Sequence, residues 1–411
     1  MISFFIKHKL ITLGILIQIS FFVSALWTKW YDYFFFGSSI HYCCQGLDFY
    51  QIPNAVYSFI KGGGLTGKLP PNITPYSQNY FSNYNVYHPL LTFILGGFFL
   101  IFDPNVSFNL WILIKLPVTL TLAFYIYKSF KGNKYLDLAI FVLLANFSSY
   151  NEIRISQYQY LFNIFLLLFL IFLVKKKNDF ETGILFFLTL IAKPIGLLWA
   201  PAFFVKKKLK KFLIGLSLFL ISTGIFQIMG IGNYYTDNII SHFLRPIPTN
   251  TIDIMSLDAL LRYTFGFTLE EMRYVKFLAL IGILIISLSK KASIIKIIFL
   301  LTVYFLFFYD LVYQYHFSVL GPVLSICLIA LPEFQTRISR ILILLINMPG
   351  VFFILRFLKI GFYHNSFLGP DPTFFGWQIV SFFQILLISL LVIRVLIPDI
   401  KNLLKLKNAS I

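Results

Sequence analysis

Long apolar runs alternate with short lysine-rich breaks along most of the chain. Apolar runs suggest spans at about 10–27, 106–127, 135–149, 159–174, 212–232, 274–289, 297–309, 317–331, 341–355 and 377–396. Two others, 88–102 and 182–205, do not fit simple crossings. The first is short for a ~30 Å core, about 22 Å as a helix, and a crossing there would put Lys128 to Lys134 outside. The second has lysine runs at both ends and "AKPIG" in its middle. Proline lacks the backbone donor a helix interior needs and clashes with the preceding turn. Two half-helices folding back at Lys193-Pro194 are therefore expected, with the irregular backbone sheltered inside protein or lining a cavity.

Composition sharpens this pattern. With 411 residues, 58% of them hydrophobic, and a mean hydropathy of +0.81, the chain holds more apolar surface than a water-soluble fold can hide. An all-α polytopic membrane protein of about 10–12 transmembrane helices is expected, as one domain over 1–400 followed by a basic tail, 401–411. The first run, after Lys7 and Lys9, reads as an uncleaved helix.

The formal charge of +18 would suggest nucleic acid in a soluble protein. Here the lysines punctuate apolar segments, which is the positive-inside pattern and suits anionic lipid headgroups. Lys128/Lys131/Lys134, Lys175 to Lys177, Lys206 to Lys211, Lys290/Lys291/Lys296, Arg337/Arg340 and Lys401/Lys405/Lys407 should all be cytoplasmic. They share one side only if 88–102 dips in without crossing and 182–205 is a hairpin. The outside then receives a long loop, 28–105, and shorter ones near 150–158, 233–273, 310–316 and 356–376. These loops hold the chain's unusual residues: Asp48, Tyr87-His88-Pro89, Glu152, Arg154, Arg245, Arg262 and His316. A multi-pass plasma-membrane protein, in a bacterium the inner membrane, with an outward-facing site is expected.

Within the first loop, Phe49, Ile52, Val56, Phe59 and Ile60 recur at helical spacing, predicting a surface helix over 52–61 that ends at the glycines from Gly62. Pro53 confines its start to the first turn. Asp48 sits just ahead, where position alone reads equally as a capping or solvated carboxylate. Arg154 reads equally as an ordinary loop charge, with Glu152 a candidate partner. Cysteines are uninformative: Cys43 and Cys44 are adjacent and Cys327 lies in an apolar run, so neither a disulfide framework nor a metal spacing is present. Asp253, Asp258 and Asp371 form no carboxylate pair with metal-ligand spacing.

The order of these features resembles the GT-C superfamily of integral membrane glycosyltransferases, and within it glycosyltransferase family 87, over most of residues 1–330. "GLDFYQIPNAVYSFIKGG" looks like that family's Asp-Phe, small-residue helix and glycine. "NVYHPLL" looks like its Tyr-x-Pro-Leu, and "TGILFFLTLIAKPIGLLWAPAFFVKKK" is similar to its Lys-Pro hairpin. "ISQYQYLFN" keeps only Gln157 of a Gly-Gln-x-Asn pattern, with Ser156 and Gln159 in the other places. "IDIMSLDALLRYTF" keeps Ser256, Leu257 and Arg262, and "YDLVYQYHFSVLGPVL" keeps His316 of a Trp-x-His-His turn.

The resemblance implies inverting transfer of a mannose-like hexose from a polyprenyl-phosphate donor to a glycan or glycolipid acceptor on the outer face, with Asp48 as the base. It also implies a substrate site drawn from Lys193, Arg154, His316, Gln157, His88, Arg245, Arg262 and Ser256, with no metal or cofactor. Two other functions compete. A transporter or flippase would carry charges within central spans, and a GT-C-like polymerase or ligase would use a lipid diphosphate.

Overall fold

The computed structural model describes residues 6–28, 31, 48–67, 73–77, 85–244, 255–289, 292–309, 311–347, 362–365, 369–372 and 374–408. Their secondary structure is helical apart from one two-stranded antiparallel ribbon, Phe362–Asn365 with Gly369–Pro372. Four helices are long and apolar enough to cross a membrane, at Lys9–Thr28, Pro104–Ser129, Leu209–Ile228 and Ile379–Lys401, and shorter apolar helices stand among them.

In chain order, α1 is Lys9–Val23, continued by a π turn over Ser24–Thr28. The first loop contributes α2 (Gln51–Ile60) and α3 (Pro89–Phe99). Next come α4 (Pro104–Ser129), α5 (Leu136–Leu144), α6 (Phe147–Ile155) and α7 (Gln159–Val174). The hairpin consists of α8 (Asp179–Ala192), a 3₁₀ turn over Pro194–Trp199 and α9 (Ala200–Val205). After it run α10 (Leu209–Ile228), α11 (Asn233–Leu244), α12 (Leu257–Phe265), α13 (Leu269–Leu288) and α14 (Ile294–Phe308). A 3₁₀ turn, Gln314–Val319, leads into α15 (Leu320–Ala330), followed by α16 (Arg337–Asn347) and α17 (Phe374–Asn408).

Lys193-Pro194 breaks the helix as the sequence requires, with Lys193 in extended backbone between α8 and the 3₁₀ turn. The arms fold back on each other. Gly196 lies under Leu190 and Phe186, where a Cβ would come within 3.0 Å of Leu190 Cδ2. Further down, the Phe186 and Phe203 rings pack at a tilt with centroids 5.5 Å apart.

Three expectations need correction. The run 135–149 is not one helix: α5 stops at Ala145, and Asn146 caps α6 by accepting from Ser148 N at 2.9 Å. The helix expected over 52–61 begins one residue earlier and does not lie on the surface, because Gln51 through Val56 are buried. Gly96 of α3 explains that burial. A side chain there would meet Val56 Cγ2 at 2.5 Å and Ile52 O at 2.9 Å, so only glycine lets α3 seat this closely on α2. The basic tail is not separate either, since α17 runs unbroken through Lys401 to Asn408.

Helix direction sorts the charges. The starts of α1 and α8 and the ends of α4 and α7 carry the basic turns, while their other ends carry Ser24, Asp103, Gln159 and Lys193. The basic turns are tied to one another: His8 Nδ1 to Asp137 at 3.0 Å, Lys211 Nζ to Lys177 O at 2.7 Å, and Lys206 Nζ to Ser289 O at 2.8 Å. Asp48, Glu152, Gln157, Lys193 and His316 gather at the opposite end.

Candidate functional site

Asp48 is held by its neighbours in sequence. Phe49 is wholly buried, packed edge-on to Tyr50 at 5.1 Å and Phe99 at 4.9 Å and stacked on Trp111 and Tyr158. Tyr158 Oη donates to Phe49 O at 3.0 Å, and Tyr50 Oη to Pro104 O at 3.1 Å. With Phe49 pinned between α3, α4 and α7, the preceding carboxylate has one place to go.

That place is the wall of a cavity of about 410 Å3, within the ~300–1,000 Å3 range of small-molecule sites. Two amides grip the carboxylate: Gln51 Nε2 donates to Oδ1 at 2.8 Å, and Gln157 Nε2 donates to Oδ2. Gln157 reaches it because Ser156, which ends α6, takes the left-handed conformation (φ 58°) and turns the chain. That conformation is strained for any residue with a Cβ. Burial pushes the Asp48 carboxyl up to about 6, against the opposing pull of the Gln157 hydrogen bond and the Lys193 charge. The group is therefore ionised at neutral pH yet basic enough to take a proton.

Across the cavity, Lys193 projects from the apex of the hairpin toward His316, with Nζ 3.4 Å from Nε2 and the ammonium 5.4 Å from the Tyr315 ring centroid. His316 Nδ1 accepts from Tyr313 N at 3.0 Å, so a neutral ring carries its proton on Nε2. Two donors, His316 Nε2–H and the Lys193 ammonium, thus converge with no acceptor between them. An anionic oxygen is the group that satisfies both. Apolar and aromatic side chains, including Val86, Ile195, Leu198, Ile239 and Phe305, complete the wall.

The structure divides the remaining sequence candidates. His88 lines the cavity, but its ring is committed: Nδ1 accepts from Leu90 N at 3.2 Å as the cap of α3, and Nε2 faces Thr223 Oγ1 at 3.1 Å. Burial holds its pKa down to about 4, so it is a neutral structural ring. Arg262 is paired with Asp258 at 3.0 Å on α12, and Ser256 caps that helix by accepting from Ala259 N. Arg154 is buried on α6 and does not line the cavity. Arg245 lies outside the described residues, as do Asp32, Cys43, Cys44 and Asp253.

Glu152 does not pair with Arg154. It takes Lys115, from the middle of α4, with Nζ 3.0 Å from Oε1 and both side chains buried. Lys115 went unremarked in the sequence although a charge inside an apolar span is itself a signal. Gln51 and Tyr315 were likewise not singled out. No cluster of three or more His, Cys, Asp or Glu able to hold a metal occurs among the described residues. Compared with known protein families and with curated sequences, the chain matches no family model and no curated protein.

Proposed function

We propose that this is an integral membrane glycosyltransferase with a GT-C-like bundle of about 10–12 spans, moving a hexose from a polyprenyl-phosphate donor to a hydroxyl acceptor outside the membrane. One observation carries the reading: a buried carboxylate, Asp48, shares one cavity with the convergent donors Lys193 and His316. Inverting transfer from a lipid phosphate needs this pairing of a base with an anion site.

In the proposed reaction the acceptor hydroxyl gives its proton to Asp48 as its oxygen attacks the anomeric carbon from the face opposite the phosphate. The bond from that carbon to the phosphate oxygen breaks, and its electron pair leaves with polyprenyl phosphate. Lys193 and His316 Nε2–H stabilise the charge that develops on that oxygen. Asp48 then returns its proton to water. Gln51 and Gln157 keep the carboxylate aimed, and the apolar wall suits the first isoprene units.

Transport is the second reading, favoured by one observation, the Lys115–Glu152 pair within the bundle, since buried charge on central spans is what a transporter would carry. Membranes containing wild type or Asp48→Asn, given a radiolabelled polyprenyl-phosphate hexose, separate the two. Transfer to lipid or glycan that falls at least ~100-fold in the variant supports the enzyme. Movement of the donor across the bilayer without a new glycosidic product supports transport, and unchanged transfer in Asp48→Asn removes the base.

A further inference from the structure

Beside Lys193 and His316 stands a third side chain whose polar group is unused. Tyr315 lines the same cavity and is otherwise buried, with 8% of its surface left open. Its ring lies 4.2 Å from the His316 ring, centroid to centroid, and the Lys193 ammonium sits over its face at 5.4 Å. A cation over the face draws on the ring and not on the hydroxyl at its edge. That hydroxyl has no hydrogen-bond partner among the described residues. Sealed polar atoms without partners do occur in this fold, Gln51 Oε1 and Tyr235 Oη among them, but the Tyr315 hydroxyl is not one of these and keeps contact with the cavity.

The local fold holds this group where the other two donors are. Tyr315 belongs to the 3₁₀ turn Gln314–Val319, at whose start Tyr313 N donates to His316 Nδ1 at 3.0 Å. The Tyr313 ring stacks on Tyr315 at 5.8 Å and on His316 at 6.0 Å, so residues 315 and 316 are positioned as a unit. Other polar groups of the cavity wall are committed elsewhere. Gln51 and Gln157 donate to Asp48, and His88 is engaged at both ring nitrogens.

A phenol stays protonated at neutral pH and donates through its O–H. Donation to an ionised phosphate oxygen is the strong kind of hydrogen bond, and a phosphate monoester offers more oxygens than Lys193 and His316 can occupy. We infer that the Tyr315 hydroxyl is a third donor to the phosphate, so that Lys193, His316 and Tyr315 together form a cradle for a phosphate monoester. This rests on the reading that Lys193 receives the donor phosphate.

The test measures binding and needs no sugar transfer. Detergent-purified wild type, Tyr315→Phe and Lys193→Met are titrated at pH 7 with farnesyl phosphate, farnesol and inorganic phosphate, and Kd is read by isothermal titration calorimetry. Wild type should bind farnesyl phosphate at least ~10-fold more tightly than farnesol. Tyr315→Phe keeps the ring under Lys193 and should weaken farnesyl phosphate about ten-fold, as expected for one lost hydrogen bond to a charged group, with farnesol unaffected. Because the hydroxyl bonds nothing in the empty protein, ligand-free Tyr315→Phe should melt at or above wild type. Unchanged farnesyl phosphate binding in Tyr315→Phe, with Lys193→Met weakened, overturns the inference and leaves the phosphate reading intact. Unchanged binding in both variants, or farnesol bound as tightly as farnesyl phosphate, removes that reading as well. A ligand-free Tyr315→Phe protein that fails to fold, or melts well below wild type, puts the hydroxyl in the service of the fold and also overturns the inference. Inorganic phosphate bound as tightly as farnesyl phosphate, with the same loss in Tyr315→Phe, supports the three donors and makes their ligand free phosphate instead of a lipid.

Discussion

The two ends of the bundle use lysine in opposite ways. At the basic end Lys296 is spent on structure. Its Nζ meets Asp399 at 2.8 Å and Glu333 within bonding distance, joining α14 to α17 and to the turn before α16, and Lys296 and Asp399 are almost wholly buried. At the Asp48 end, Lys193 pairs with no carboxylate among the described residues and meets His316 instead, and Asp48 is gripped by neutral amides rather than a cation. A charge closed by its counter-charge holds helices together. Opposite charges kept apart across a cavity leave room for a molecule that needs both, and this separation is the mark of a site.

Asp48→Asn is the sharpest test of that contrast. It removes the base while keeping shape, and transfer should fall ~10²–10⁴-fold with expression retained and melting not lowered. The matching change at the other end is Lys296→Met. It strands the buried Asp399 carboxylate and leaves the half-buried Glu333 without its cation, and loss of one partner from a buried pair costs about 3–5 kcal/mol. The melting temperature in detergent should fall steeply, while transfer per folded molecule stays near wild type. If Lys296→Met abolished transfer without affecting melting, the division of labour would be wrong. Lys193→Met falls between them, with donor KM raised ~10–100-fold, as expected for a lost charge-assisted contact of about 1.5–3 kcal/mol, and melting unchanged.

Much of this was legible in the sequence because the relevant physics is local. Proline at 194 breaks the hairpin wherever the rest of the chain lies, and the lysine spacing sorts the helix ends. Asp48, Gln157, Lys193 and His316 come together from four segments, but each carries a polar signal against an apolar background. What the sequence hid is pairing. Nothing local says that Glu152 prefers Lys115, 37 positions away, to Arg154, two positions away on the same helix. The depth of α2 was hidden too, since its amphipathic spacing fits a surface helix as well as a buried one. The feature that decides is a glycine 40 or more positions downstream that lets α3 settle onto it.

Gly96 therefore provides a smaller and more local test. Gly96→Ala puts a methyl group against Val56 and the Ile52 carbonyl, an overpacking of about 1–3 kcal/mol. The part of that strain relieved by moving α2 away from α3 shifts Gln51 with it, and Gln51 holds Asp48. Transfer should fall in greater proportion than melting temperature. Gly97, whose added Cβ meets nothing within 4 Å, is the control, and Gly97→Ala should leave both unchanged. Equal losses at the two glycines would mean that the α2–α3 contact does not position the base.

The smallest effect concerns pH, and its sign separates the two ends once more. Burial raises the Asp48 carboxyl to about 6 from an ordinary 3.8, so the folded protein binds this proton more tightly than the unfolded chain does. Between those two values the proton's contribution to stability is lost as pH rises, and above about 6 the folded state carries an ionised carboxylate that burial disfavours. Asp48→Asn should therefore melt slightly above wild type at neutral pH, and the difference should vanish toward pH 4. Transfer by wild type should follow the opposite course, falling on an acid limb centred near pH 6 as the base becomes protonated. A residue whose ionised form weakens the fold at the pH where it is needed behaves as a functional group. Lys296 should show the reverse, with the fold depending on its charge and no such limb in transfer when it is replaced by methionine. An Asp48→Asn protein that melts below wild type at neutral pH would make the carboxylate a structural anchor and close the gap between the two ends.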